Sequence, residues 1–357
     1  MAELSLESQR DARELSGVQS GVNKRVLAMG CGLLIGFFYL AAFFPQSQPL
    51  KAAVFGTLGL IVLAGLVHAT SVPAAFPLLF EDVIHVMLGT WAVHLAVQSG
   101  GMGAVEAAAL VGALGWLGGL PSLLGARVFP AALYCGAFAG MTSSDLLPGF
   151  WWMILAGLLA GIVYSLARHM WVGIGGKLGT MAFAGTAVTV ALARFAGFNR
   201  HSLAPASLDA TLQLAIVGVS IASVCLTYWL SEHGKFGAVF ASAVPTILLV
   251  FGLKLLDPSW QSKAIPLVTA WFGASFAGMT SAERLAGRHW MLPLMGLIFG
   301  FLVVGSGPRL NGFGGVSGTT ALVAVLAGLG IARLAAIKTV LTTQEQRTAR
   351  AEASAGQ

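Results

Sequence analysis

Apolar residues occur in long runs along this chain, and polar residues are confined to short stretches between the runs. Two apolar runs come first, Val26–Phe44 and Ala52–Ala69, and each is long enough to cross a bilayer as a helix. The further runs are Val83–Val97, Met102–Leu124, Val128–Thr142, Trp151–Leu166, Gly173–Ala196, Leu212–Leu230, Phe236–Leu255, Ile265–Met279, Trp290–Val304 and Phe313–Leu334. This pattern predicts an all-α polytopic membrane protein with about 12 hydrophobic segments, some of them glycine-broken or re-entrant.

Three short sequence motifs each occur twice, in the same order and at nearly the same spacing. The matching pairs lie about 134 to 139 residues apart. This recurrence predicts an internal duplication of a five-segment unit, with repeat 1 at 73–204 and repeat 2 at 205–335. The pairs are Gly103–Val105 with Gly237–Val239, Phe138–Ser143 with Phe276–Ser281, and Gly173–Thr180 with Gly312–Thr319.

The remaining chain divides into three parts outside the duplication. Residues 1–24 are polar and mixed in charge, 25–72 hold the two lead helices, and 336–357 form a polar tail that we expect to end the fold. Because five is an odd number, five spanning segments per repeat would make repeat 2 enter from the opposite side, as an inverted repeat. A re-entrant segment in each repeat would instead make the repeats parallel. The basic loops support the inverted arrangement only in part.

Composition excludes a soluble globular protein. The chain is 57% hydrophobic and 10% charged, whereas a soluble domain carries about 25% charged residues. The net charge of +6 fits orientation signals and anionic lipid headgroups, so the lipid bilayer is an expected partner and nucleic acid is not. We expect a bacterial inner-membrane protein with both termini in the cytoplasm. The sequence does not distinguish a homo-oligomer from a complex with membrane partner subunits.

The glycine motif Gly-x-Gly-Gly-x-x-Gly-Thr is unfavourable to a helix. Four glycines in seven residues each cost about 1 kcal/mol relative to alanine in a helix. The motif therefore predicts an unwound stretch that leads into a helix N-terminus, where free N–H groups can bind an anion. The alternative is a close helix crossing at which glycine replaces bulk. The candidate pathway residues here are Gly175, Gly176, Lys177, Thr180, Gly314, Gly315 and Thr319.

The motif Phe-Ala-Gly-Met-Thr-Ser adds hydroxyl groups to a small-residue face. Thr142 and Ser143 in repeat 1 match Thr280 and Ser281 in repeat 2. Such hydroxyls can line a permeation path. They can also bond back to a helix carbonyl and cap or pack the helix, which is the competing interpretation.

Ionisable residues within apolar runs are concentrated in repeat 1. Glu106, His85 and His94 are candidates for an ion or proton pathway, because a charge inside a membrane is costly and points to function or to a partner. Alignment of the repeats places Phe240 opposite Glu106, so packing alone does not require an acid there. We expect the Glu106 carboxyl to be either protonated, because burial disfavours its charged form, or paired, with Lys177 as the nearest candidate.

Other chemistry finds no support in the sequence. Three scattered cysteines form no disulfide or metal pattern, and Glu81 with His85 lacks the further ligands of a zinc site. No nucleotide-binding loop or nucleophile elbow is present. We therefore expect no catalytic residues, no metal and no cofactor.

These features favour a secondary transporter or channel for a small solute or ion, coupled to protons through Glu106. The alternative is a non-catalytic membrane scaffold or assembly subunit whose glycine faces pack against partner helices. An intramembrane enzyme that acts on a lipid-linked substrate is a third hypothesis, with too few convergent nucleophiles to support it. A glycine motif that faces a central polar cavity would favour transport, and one that faces a lipid-exposed groove would favour a scaffold.

Overall fold

A computed structural model describes Gly36 and residues 49–69, 78–118, 129–198, 208–255, 258–306 and 310–355, and these contain helices and turns but no β-strand. The first lead segment, Val26–Phe44, lies outside the described residues apart from Gly36, and so does the segment 1–24. The helices are α1 Pro49–Ala69, α2 Phe80–Gln98, α3 Ala104–Gly118, α4 Pro130–Gly140, α5 Phe150–Ala167, α6 Lys177–Phe195, α7 Ala210–Tyr228, α8 Ala238–Lys254, α9 Pro258–Gly278, α10 Ala282–Leu285, α11 Met291–Gly305 and α12 Val316–Ala355. A π-helical turn, Trp229–His233, extends α7.

Five stretches in the described residues are long and apolar enough to cross a membrane. They are Phe80–Gln98, Phe150–Ala167, Lys177–Phe195, Ala210–His233 and Val316–Ala336. Four further apolar helices are shorter, at Ala104–Gly118, Ala238–Lys254, Ala264–Gly278 and Met291–Gly305. The structure is therefore that of an all-helical protein whose apolar helices suit a membrane.

The C-terminal segment is helical. Residues 336–357 were expected to be a polar tail that ends the fold, and in the described residues α12 continues without a break to Ala355. Its apolar part ends at Ala336, and the sequence beyond is rich in alanine, glutamine, glutamate and arginine, which are good helix formers. Loss of hydrophobicity therefore ends the apolar stretch without ending the helix.

Glycines set the close approaches inside each repeat. In repeat 1, α4 contacts α2 through Gly136 and Val86, and α5 contacts α2 at Gly161 and Val83. A methyl group at either glycine would collide with the facing backbone. Repeat 2 packs its corresponding helices in the same way, with Gly278 against Val224 and Gly300 against Val217. Backbones that touch in this way gain dispersion contacts that larger side chains would prevent.

Corresponding helices of the two repeats contact each other and run antiparallel. In the α6–α12 pair, Gly176 lies against Leu322, Gly179 against Gly318, and Phe183 against Gly315. Residue numbers rise along α6 as they fall along α12, which defines the antiparallel direction. Only the N-terminal halves of the two helices overlap.

The α3–α8 pair also runs antiparallel. Along α3 and α8, Glu106 meets Lys254, Gly112 meets Ala243 and Trp116 meets Phe240. Between α4 and α9, four aromatic rings pack with centroid separations from 4.4 to 6.3 Å and fill the centre of the molecule with apolar volume. These rings belong to Tyr134, Phe138, Phe272 and Phe276, and all four are buried.

Candidate functional site

The two glycine motifs begin as turns and end as helix. Gly173–Gly176 and Gly312–Gly315 are non-helical, and α6 and α12 begin at the next residue. Gly176 and Gly315 both have positive φ, at 84° and 81°, which favours glycine at these positions. The predicted unwound stretch before a helix N-terminus is confirmed for the first four residues of each motif.

Each glycine loop binds the threonine motif of the other repeat. In the first junction, Thr142 and Ser143 contact Gly312–Gly315: the Gly314 N–H donates to Thr142 Oγ1 at 3.1 Å, and the Ser143 N–H donates to the Gly312 carbonyl at 2.8 Å. In the second junction, Thr280 and Ser281 contact Gly173–Gly176. There the Gly175 N–H donates to Thr280 Oγ1 at 3.2 Å, and the Ser281 N–H donates to the Gly173 carbonyl at 2.9 Å.

In each junction the threonine hydroxyl both accepts and donates a hydrogen bond. Thr142 Oγ1 donates to the Ala139 carbonyl at 2.7 Å, and Thr280 Oγ1 donates to the Ala277 carbonyl at 2.8 Å. Both threonines are buried. A hydroxyl that accepts from one loop and donates to its own helix joins the two repeats without an unsatisfied polar group.

Close packing surrounds the glycines of both junctions. A methyl group at Gly175 would collide with the Phe276 carbonyl, and one at Gly314 would lie 2.5 Å from the Phe138 carbonyl. Thr186 Oγ1 also donates to the Gly314 carbonyl at 2.9 Å. The Gly175 and Gly314 N–H groups, which were expected to bind an anion, therefore bond to threonine. This packing favours the alternative interpretation of the motif as a close helix crossing.

Two further hydroxyls of the candidate set stabilise the starts of α6 and α12. Thr180 Oγ1 donates to the Gly176 carbonyl at 3.2 Å, and Thr319 Oγ1 donates to the Gly315 carbonyl at 3.1 Å. The two junctions thus match in a fourth hydrogen bond. The four threonines of the candidate set are buried, whereas Ser143 and Ser281 are half-buried.

Glu106 lies in a cleft between the two repeats. It occupies the first turn of α3, where a carboxylate suits the helix dipole, and its Oε1 lies 2.6 Å from Lys254 Nζ at the end of α8. The Glu106 side chain is 10% exposed and that of Lys254 is 52% exposed. The cleft measures about 730 Å³ and is lined mainly by apolar residues of α3, α8 and α9.

The expected pairing of Glu106 with Lys177 is wrong. Lys177 Nζ donates to the Arg168 carbonyl at 3.0 Å, at the other end of repeat 1. Lys254 is separated from Glu106 by 148 residues. Sequence reasoning missed Lys254 because the antiparallel α3–α8 pairing that brings the two residues together becomes visible only in the folded structure.

The other end of the α3–α8 pair is aromatic. Phe240, the repeat 2 counterpart of Glu106, lies 4.6 Å from Trp116 and 4.8 Å from Phe236 between ring centroids. The Trp116 indole N–H donates to the Phe236 carbonyl at 3.0 Å. The pair therefore has one charged end that opens into a cleft and one end packed with rings.

A second ion pair lies near the second junction. Arg168 donates to the Asp82 carboxylate at 2.9 Å, and the Asp82 side chain is only 2% exposed. Arg284 donates to the Val172 carbonyl at 2.8 Å. Sequence reasoning missed this pair, because its two members lie 86 residues apart in the chain.

The two histidines of the candidate set lie apart from the Glu106 cleft. His85 Nδ1 is 2.7 Å from the Glu81 carbonyl, and its ring packs edge-on against Phe129 at 5.2 Å. His94 is buried on α2. In the described part of the chain no hydrogen bond joins either histidine to Glu106. Among the same residues, no group of three His, Cys, Asp or Glu side chains is placed to hold a metal ion.

In comparisons with protein-family models, curated proteins and solved structures, nothing matches this chain.

Proposed function

We propose that this protein is an integral membrane secondary transporter or channel for a small solute or ion, with no enzymatic activity of its own. The observation that carries the proposal is the cleft of about 730 Å³ between the repeats, which contains the Glu106–Lys254 ion pair. Sites between repeats are typical of secondary transporters, because relative movement of the repeats changes access to them.

The proposed mechanism uses Glu106 as the proton-coupled group. When the carboxylate takes up a proton, its attraction to Lys254 falls, and α3 and α8 lose one contact that holds their ends together. Loss of the proton restores the pair. The aromatic end of the same helix pair has no titratable group among Trp116, Phe236 and Phe240, so protonation acts on one end only.

The mechanism is tested by measuring solute and proton flux in proteoliposomes that contain the trapped pH indicator pyranine. Small amides, polyols and carboxylates are supplied outside over a range of pH. Glu106→Gln keeps the shape of the side chain and removes its titration, so we expect folded protein whose flux no longer depends on pH. Asp145→Asn is the matched control, because Asp145 lies outside the cleft. An unchanged pH profile in Glu106→Gln would remove this residue from the mechanism.

We also propose that the repeats have inverted membrane topology, in the inner membrane of a bacterium and with both termini in the cytoplasm. The antiparallel α3–α8 and α6–α12 pairs support this, because a two-fold axis in the membrane plane reverses each helix onto its counterpart. Ser143→Cys and Ser281→Cys, each in a chain without native cysteines, should react with impermeant maleimide from opposite sides. Labelling of both from one side would exclude inversion.

A scaffold role remains the second candidate, and the packing of the glycine motifs favours it. The motifs face inward, as transport requires, but they contact protein and not a polar cavity along the α6–α12 crossing. A scaffold would give no flux for any solute of the panel, and it would purify with membrane partner subunits or as a homo-oligomer.

A further inference from the structure

A small polar pocket lies between α9, α11 and α12 and has no part in the mechanism above. Its volume is about 140 Å³, less than a fifth of the cleft's 730 Å³. Hydroxyl and amide side chains line it beside apolar ones, and none of its described lining residues is charged. The polar members are Thr269, Ser306, Asn311, Ser317 and Thr320.

Three of the lining hydroxyls direct their protons away from the pocket. Thr269, Ser306 and Thr320 each donate to a backbone carbonyl three or four residues earlier in the chain, at 2.9, 2.8 and 3.0 Å. A hydroxyl that donates in this way still has lone pairs to accept with. These three side chains can therefore accept hydrogen bonds from a ligand that carries N–H groups.

Repeat 1 differs at two of the hydroxyl positions of this pocket. The Gly-Thr ends of the glycine motifs align Leu178 with Ser317 and Met181 with Thr320, and they align Lys177 with the lining residue Val316. Because repeat 1 has large apolar residues at both positions, the packing of the motif does not require the hydroxyls of Ser317 and Thr320.

We propose that this pocket binds a small uncharged amide. Its volume of about 140 Å³ equals roughly four waters at ~30 Å³ each, which suits a ligand of four or five heavy atoms. An ion would lose hydration without a counter-charge. The N–H groups of an amide match the hydroxyl acceptors, and its carbonyl oxygen matches the backbone donors of the first turn of α12, which begins at Val316.

The pocket and the cleft share a wall. Thr269 lines both cavities, with Ile265 and Val268 on the cleft side and Ala270 on the pocket side. The cleft beside Glu106 and the pocket therefore adjoin at one α9 residue. This inference deepens the proposed function. A role of the pocket in transport rests on that proposed function, whereas binding of an amide to the pocket can be tested separately.

Binding is tested on the full-length protein in detergent by saturation-transfer difference NMR, with acetamide as the probe and acetate as its charged counterpart of the same shape. We expect saturation of the acetamide methyl group and none of the acetate methyl group. Ser317→Leu with Thr320→Met installs the residues of repeat 1 and should abolish the acetamide signal. Acetate binding equal to that of acetamide would overturn the assignment to an uncharged ligand.

Leucine at 317 adds volume beside Gly273, and the added volume can disturb folding. Two isosteric variants therefore test the site without a change in side-chain volume. Thr320→Val and Thr269→Val keep the shape and remove an acceptor, so each should weaken acetamide binding by about fivefold, the value of one hydrogen bond. Thr246→Val is the control, since its hydroxyl donates within α8 and lies outside the pocket. A pocket-filled or isosteric variant that folds and binds acetamide as the wild type does would overturn the site.

Measurements of acetamide flux test the transport proposal separately from the binding site. Wild-type proteoliposomes should equilibrate acetamide faster than protein-free vesicles, and Thr320→Val should raise the half-saturating concentration by about the same fivefold. Binding without flux would support the site and contradict transport. Flux of another solute without acetamide binding would contradict the site and leave the proposed transport supported.

Discussion

The first and second junctions are built alike but lie in different electrostatic surroundings. Both use a buried threonine that accepts from a glycine N–H of the other repeat, at 3.1 and 3.2 Å. Around the second junction lie the Asp82–Arg168 pair, Lys177 and Arg284. Around the first, Leu146 packs against Gly312, and Asp145 bonds to nearby Ser143.

The comparison separates two kinds of constraint. Where backbone meets backbone, both repeats have glycine and threonine, because glycine allows the close approach and the threonine hydroxyl satisfies the glycine N–H group. Where side chains only surround the junction, charge is free to differ, and repeat 1 carries Lys177 where repeat 2 carries Val316. Function that depends on asymmetry is therefore to be sought around the junctions and between the repeats, as with the cleft and the amide pocket.

The largest expected effect comes from the glycines that the junctions share. Gly176→Leu and Gly315→Leu each force a side chain onto the backbone of the opposite repeat at a positive φ. Each should cost more than about 4 kcal/mol of folding free energy and leave little folded protein by size-exclusion chromatography. Gly218→Leu on α7 is the control, because open space surrounds that glycine. Folded Gly176→Leu protein in wild-type yield would refute the close crossing.

A smaller effect is expected at the ion pair beside the second junction. Arg168→Met leaves the buried Asp82 carboxylate without its partner, so we expect a loss of about 3–5 kcal/mol in the free energy of unfolding. The double variant Arg168→Met with Asp82→Leu should recover most of that loss. Asp145→Asn, at the first junction, should cost under about 1 kcal/mol. Equal destabilisation by Arg168→Met and Asp145→Asn in chemical denaturation would contradict the electrostatic difference.

The smallest effect should be the same at both junctions. Thr142→Val and Thr280→Val each leave one glycine N–H without its acceptor, which costs about 1–3 kcal/mol. Thr→Ser at either position keeps the hydroxyl and should restore most of the lost melting temperature. Scanning fluorimetry of the four variants tests the match, and a clear difference between Thr142→Val and Thr280→Val would show that the two hydrogen bonds are not equivalent.

The local pattern of the chain predicted most of the helices and the unwound glycine loops. Phe150–Ala167 and Met291–Gly305 fall within one or two residues of the predicted Trp151–Leu166 and Trp290–Val304. Helix ends followed from turns and glycines, which act over a few residues. Beyond Ala336 the polar residues end the apolar stretch without ending α12, because many of them are good helix formers.

Sequence by itself determined that the described segments are helical and apolar, where the chain unwinds before α6 and α12, and that three motifs recur in the same order. Each of these depends on neighbours in the chain or on recurrence along it. Only the tertiary structure decided that Thr142 bonds to Gly314 of the other repeat, and that Glu106 pairs with Lys254 and not with Lys177. Those contacts depend on the antiparallel packing of helices that lie more than a hundred residues apart, and short-range preferences of the chain do not encode that packing.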